Sequence, residues 1–443
     1  METVNNKMLI VVLLTSMLVL ADVTIIGLPV SVFLLFILAV TQSVVWIIRL
    51  RKQSALMLLG KHKIDVAVAI LFLWELLMLI KKLLWPMQDN SLDYQNQIIV
   101  MILVVLYFFY KEINTMQELI TDIILLAGYV VNLMIVIVYL FETEQKFLFG
   151  DILNDSGRLA SYLLILCVIS TCRYCVSVDS KPKKMFYFMS AVGSFLILFI
   201  NHNLISLWLM AFVFIAIPVL YRPTAELVKR DMQLCFAYFF LLSNMSLLTN
   251  YTELFHGTTI YNLEQAVYID LFLAIGGVFF FHYWDRIPEG VDFSRLVVRK
   301  MRKGYQFVLK VMGILVAGMI LGADKWNDLP ENVMTPVINN FAVPLTEEIK
   351  RSESLFLYMI KNNPVSAVIM LVIIVLMIAK LRRNYSFGKQ QTTMCLLMSL
   401  VFGIQMLIYI PDINTLPVYL FMAVTAAFGK EEMQRVSSVR MNI

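Results

Sequence analysis

The chain has 443 residues, 60% of them hydrophobic and 15% charged, with a formal net charge of +5. A water-soluble domain this apolar would expose more hydrocarbon than it could bury, and a disordered chain would be far more polar, so lipid is the solvent that fits. The basic excess does not mark a nucleic-acid surface, because Lys and Arg fall in short stretches between apolar runs, as insertion into a membrane requires.

Apolar runs near the roughly 20 residues of a bilayer crossing predict spans over 8–20, 25–47, 64–80, 98–110, 118–141, 159–171, 185–200, 204–220, 232–249, 266–281, 305–322, 365–379, 392–410 and 416–428. The expected fold is therefore all-α, a single polytopic membrane domain over 1–443 with about fourteen transmembrane helices. The first run is read as a short retained span, because no small-residue cleavage site follows it. Gly27-Leu28-Pro29 leads into the second.

The basic residues orient the bundle. With the N-terminus inside, 27 of the 36 Lys and Arg fall in cytoplasmic stretches, eight outside, and Lys310 within a span. The long basic stretches 49–63, 173–184, 286–303 and 380–389 all fall on the same side. Both termini are expected in the cytoplasm of a multi-pass cell-membrane protein.

Between runs eleven and twelve lies the long extracytoplasmic segment 323–364, with Pro330, Pro336, Pro344 and a charged stretch. It is too polar to cross a membrane, and loops of this length are usually functional or disordered. Its end, 346–362, has the pattern of an amphipathic helix lying on the membrane face.

The chain carries no P-loop, no Gly-x-Ser-x-Gly elbow and no HExxH motif. Cys172 and Cys175 form a lone CxxC without a second ligand pair, and they read as small core residues rather than a metal site. His62, His202, His256 and His282 are scattered, and neither a metal nor another cofactor is expected. Glu75 and Asp270 stand within spans three and ten, where ionisable groups are costly, and the sequence shows no partner for either.

Charge at the outer rim is more informative. Arg158, in Asn154-Asp155-Ser156-Gly157-Arg158, opens the sixth span, and Asn201-His202-Asn203 makes the outside turn between spans seven and eight. Lys350 and Arg351 stand late in the long segment. Guanidinium and ammonium groups at that depth are what a diphosphate headgroup requires. The plainer alternatives are a headgroup anchor for Arg158, a solvated Glu347–Arg351 ion pair at helical spacing, and a simple turn residue for His202.

The layout resembles the O-antigen ligase and O-antigen polymerase superfamily, membrane glycosyltransferases of lipid-linked oligosaccharides. Leu153-Asn154-Asp155-Ser156-Gly157-Arg158-Leu159-Ala160 resembles the family's Asn-x-x-Ala-type entry to a middle span. Residues 199–209 take the place of its arginine-bearing turn, and Arg351 followed by Ile360-Lys361-Asn362-Asn363-Pro364 resembles the late stretch ending in Asn-Pro. The close, 409–429 with Pro411 and Pro417, is similar as well. Two departures stand out: 323–364 holds no histidine, and Asn201-His202-Asn203 replaces the expected arginine. These disfavour a histidine-dependent ligase.

The resemblance implies a metal-independent transfer of glycan from a polyprenyl diphosphate to a sugar hydroxyl in cell-surface polysaccharide assembly. Arg158, with Arg351 and Lys350, would hold the diphosphate, and Glu347, Glu348 or His202 would serve as base. Asn154, Asn201 and Asn203 would line the substrate. The implied partners are the lipid-linked oligosaccharide, membrane lipids and other polysaccharide-assembly proteins, with no nucleic acid. The competing readings are a lipid-linked oligosaccharide flippase or other transporter, and a non-catalytic subunit of an assembly complex.

Overall fold

The computed structural model describes residues 24–25, 28–29, 37, 40, 62–84, 100–108, 110–111, 117–140, 156–177, 180–200, 204–221, 223–251, 263–288, 291, 293, 363–384, 390–408, 419–425 and 427–428. They form an all-α fold whose helices are α1 (Lys63–Leu84), α2 (Gln117–Leu140), α3 (Ser156–Val176), α4 (Lys181–Ile200), α5 (Leu204–Leu220), α6 (Ala225–Tyr251), α7 (Leu263–Trp284), α8 (Pro364–Asn384) and α9 (Gln390–Ile408). Residues 100–108 with 110–111, and 419–425 with 427–428, are also helical.

One expectation is corrected. The run 25–47 does not begin as a helix: β1 (Thr24–Ile25) pairs antiparallel with β2 (Leu28–Pro29), Thr24 opposite Pro29 and Ile25 opposite Leu28. Pro29 lacks the N–H that an interior helical turn would use. Helix is described farther along this run, at Ile37 and Val40.

The other described helices lie on their apolar runs and mostly extend past them, because polar end residues continue or cap the ladder. Thr224 Oγ1 accepts from Leu227 N (3.2 Å), placing the start of α6 well before the apolar run. At α1, Asp65 Oδ2 reaches back to His62 N (3.3 Å) while His62 O accepts from Asp65 N, one half of a capping box. At α8, Asn363 Oδ1 accepts from Ser366 N (3.3 Å) and Pro364 takes the first helical position, where its missing N–H costs nothing.

The core is built around α3. Every residue from Leu163 to Ile169 is fully buried, so α3 is apolar on all sides and enclosed by helices. α4, α6, α9, α5 and α2 pack against it. Gly128 of α2 permits a close approach: a Cβ there would lie 2.3 Å from Leu166 Cδ2. Small polar side chains line the seams, as in Asn132 Nδ2 donating to Ser194 Oγ (2.9 Å), whose hydroxyl donates to Ser190 O (2.8 Å). Such contacts hold helices together where lipid removes the hydrophobic drive between them.

Among the described residues two helices, over Leu159–Val176 and Val267–Trp284, are long and apolar enough to cross a membrane by length and composition. They differ in setting. The first is enclosed, whereas Tyr268, Leu271, Phe272, Val278 and Phe279 of α7 are all more than half exposed. α1 shows an apolar outer flank of the same kind, with Val66, Ile70, Leu73 and Leu77 exposed.

Candidate functional site

Polar contacts between helices give each helix a direction. The late part of α1 meets the start of α8 at Trp74 and Glu75, while His62 before α1 meets Lys380 near the end of α8, so the two run antiparallel. Asp122 with Tyr187, and Asn132 with Ser194, set α2 and α4 parallel. Trp284 with Ala225, and Asp270 with Asn244, set α6 and α7 antiparallel. The helical residues 419–425 and 427–428 tie these together, because Tyr419 reaches Ser161 at the head of α3 while Phe428 packs on His62 before α1. The polar contacts thereby sort into two ends of one bundle.

One end is basic and braced by ion pairs. Lys111 binds Asp65 (2.8 Å), Arg173 and Lys183 bind Asp122 (2.8 and 3.8 Å), Lys184 and Arg230 bind Glu226, and Lys229 binds Asp285. Arg230 also donates to Tyr174 O and Ser177 O (3.2 and 2.7 Å), closing the last carbonyls of α3. A cation at a helix C-terminus is favoured by the dipole as well as by the hydrogen bonds. Beside it the Asp231 carboxyl is buried, and the Cys175 thiol donates to its Oδ1 at 4.0 Å. Among the described residues no group of three or more His, Cys, Asp or Glu is arranged to hold a metal ion.

The opposite end carries two polar knots and is the candidate site. In the first, Glu75 is almost fully buried on α1. Its Oε1 accepts from Ser366 Oγ and from Asn363 Nδ2 (3.4 Å), and Trp74 Nε1 donates to Asn363 Oδ1 (3.1 Å). A carboxylate beside the N-terminus of α8 is electrostatically favoured, which offsets the cost of burying it. This knot fastens Asn363, near the end of segment 323–364, to the flank of α1.

In the second knot, buried Tyr419 lies between Gln405 of α9 and the first turns of α3. Its hydroxyl is 2.8 Å from the Gln405 side-chain amide and 3.2 Å from Ser161 O. A phenol has one proton, so the shorter contact, to Gln405 Oε1, takes it and Ser161 O is the weaker second acceptor. The contact pins the head of α3 one turn after Arg158. Compared with family models, curated proteins and solved structures, the chain matches none.

Of the residues singled out from the sequence, Arg158 lies in the first turn of α3, with its side chain outside the description. Asn154, Asn201, His202, Asn203, Glu347, Glu348, Lys350 and Arg351 lie outside the described residues. The structure supplies partners the sequence hid. Glu75 meets Ser366 and Asn363, Asp270 Oδ1 accepts from Asn244 Nδ2 (3.4 Å), and Tyr419 meets Ser161. The sole advance signal was Asn363-Pro364, a helix cap followed by a first-turn proline.

Proposed function

We propose that the chain is a multi-pass membrane protein of about fourteen spans, both termini cytoplasmic, that elongates cell-surface polysaccharide. It transfers glycan from a polyprenyl diphosphate to an acceptor sugar on the outer face. The exposed apolar flanks of α1 and α7 suit lipid, and the ion pairs gather at the end that the basic stretches assign to the cytoplasm. The observation that carries the catalytic reading is the Tyr419–Ser161 contact. It joins the stretch around Arg158 to the closing stretch 409–429, two separate parts of the family resemblance, at the end away from the basic residues.

In this reading Arg158, aided by Lys350 and Arg351, holds the diphosphate and stabilises the charge that builds on it as the sugar–oxygen bond breaks. The acceptor hydroxyl forms the new glycosidic bond and passes its proton to Glu347, Glu348 or His202. Removing a charge-assisted contact of this kind costs on the order of 2–4 kcal/mol in the transition state. Arg158→Ala should therefore abolish most polymer while leaving the amount of folded protein unchanged, and Arg158→Lys should restore only part of it, since an ammonium lacks the bidentate fork. The measurement is glycan chain length against folded protein for the three forms. Normal polymer from Arg158→Ala overturns the catalytic reading. Loss of outward lipid-linked glycan, rather than of its elongation, replaces it with a flippase.

A further inference from the structure

The first turn of α4 carries Lys181, Lys183 and Lys184 and no acidic side chain, at a helix end where the dipole already opposes cations. Two carboxylates reach this turn, and each is held by an arginine as well. Asp122 of α2 lies 2.8 Å from Arg173 and 3.8 Å from Lys183, and it also accepts from the Tyr187 hydroxyl (3.1 Å). Glu226 of α6 pairs with Arg230 and stands 4.0 Å from Lys184. Each carboxylate therefore serves two cations. Lys181 is exposed, and among the described residues no carboxylate lies within ion-pair distance of it. Counting against the group both Asp179, two positions before Lys181 in sequence, and Asp231, buried against Cys175, still leaves it cationic.

The surface that continues from these lysines along the helices is apolar. Met185 and Met189 follow Lys181 at i+4 and i+8, so they share its face of α4, and both are exposed. On α2, which runs parallel to α4, Leu126 and Val130 follow Asp122 at the same spacing and are exposed too. Tyr129 of α2 packs on Phe186 of α4, 5.9 Å between ring centres, so the two apolar strips adjoin.

We propose that this face of α2 and α4 binds an anionic phospholipid of the cytoplasmic leaflet. Lys181, Lys183 and Lys184 contact the phosphate oxygens, and the acyl chains lie along Met185, Met189, Leu126 and Val130. The inference rests on the membrane reading above and not on its catalytic part. Charge complementarity selects the headgroup, since surplus lysines at the cytoplasmic ends of helices attract anionic lipid. The apolar strips select a lipid over a soluble anion, which would cover the lysines and leave the strips bare.

The test uses the full chain in a neutral detergent, with thermal unfolding followed on adding phosphatidylglycerol, phosphatidylcholine or millimolar inorganic phosphate. Phosphatidylglycerol should raise the midpoint, and added salt should weaken the effect. Phosphatidylcholine should raise it far less, and inorganic phosphate should leave it unchanged. Lys181→Gln breaks no ion pair and should lower phosphatidylglycerol affinity about five-fold, whereas Lys181→Arg should retain it. Replacing Lys181, Lys183 and Lys184 together by Gln should abolish the selectivity for phosphatidylglycerol. Lys81→Gln, at an exposed lysine of the opposite end, should not change it. Equal stabilisation by phosphatidylcholine, or an undiminished response in Lys181→Gln, overturns the proposal. A midpoint raised as much by inorganic phosphate overturns the lipid assignment. If the triple variant fails to fold, Lys181→Gln decides alone. Release from membranes by alkaline carbonate without detergent would instead overturn the membrane reading itself.

Discussion

At the scale of single residues, the most informative group is Glu75. An ionisable side chain within an apolar run persists only when its charge is matched. Here the match comes from Ser366 and Asn363, 291 and 288 residues away in sequence. No pattern around Glu75 announces them, which is why its position was legible and its partner was not. Asn363-Pro364 was legible as a helix start, but not the use of the Asn363 amide to hold Trp74 and Glu75 at once. Glu75→Ala would leave a buried hydroxyl and a half-buried amide without this acceptor, so it should destabilise the protein by on the order of 1–3 kcal/mol. Glu75→Gln, which keeps an acceptor oxygen, should cost less. Unfolding midpoints of the purified variants in detergent check this, and an unchanged midpoint for Glu75→Ala would show that the knot contributes nothing to stability.

At the scale of elements, apolar length located the described helices well, because about 20 apolar residues is a strong signal. It misplaced their ends, which depend on caps such as Thr224 and on charged first turns such as Lys181–Lys184. It also missed the strand pairing at Thr24–Pro29, a feature too short for any periodicity to reveal. Nor could hydropathy tell the enclosed helix α3 from the exposed helix α7, since both are apolar throughout and only packing separates them. Packing of α3 can be tested at Gly128. Alanine there brings its Cβ to 2.3 and 2.6 Å from the two methyls of Leu166, which is fully buried. Gly128→Ala should cost about 1–3 kcal/mol through overpacking. Combining it with Leu166→Ala should recover part of that loss, giving a coupling energy that two independent sites would not show. Strict additivity in the double variant would mean that α2 and α3 do not approach there.

At the scale of the whole molecule, the sequence and the structure meet in the sorting of charge. Counting Lys and Arg assigned His62, Lys111, Arg173, Lys183, Arg230, Asp285 and Lys380 to one side of a bilayer. In the structure these residues share one end of the bundle, while Glu75, Ser161, Gln405 and Tyr419 share the other. The residues proposed for an outer site could be named from the sequence only by rim position and resemblance, because a substrate site depends on how distant loops converge, and hydropathy carries no record of that. The central claim, a bilayer-spanning bundle with its candidate site outside, is tested most directly by accessibility in whole cells. Cysteines introduced singly as Asn154→Cys, Asn332→Cys and Gly290→Cys should be treated with a membrane-impermeant thiol reagent, with the wild-type chain and its native cysteines as background. Asn154→Cys and Asn332→Cys should label in intact cells, and Gly290→Cys only after the membrane is opened. Labelling of Gly290→Cys in intact cells, with none at Asn332→Cys, would contradict the orientation and with it the outer-face site.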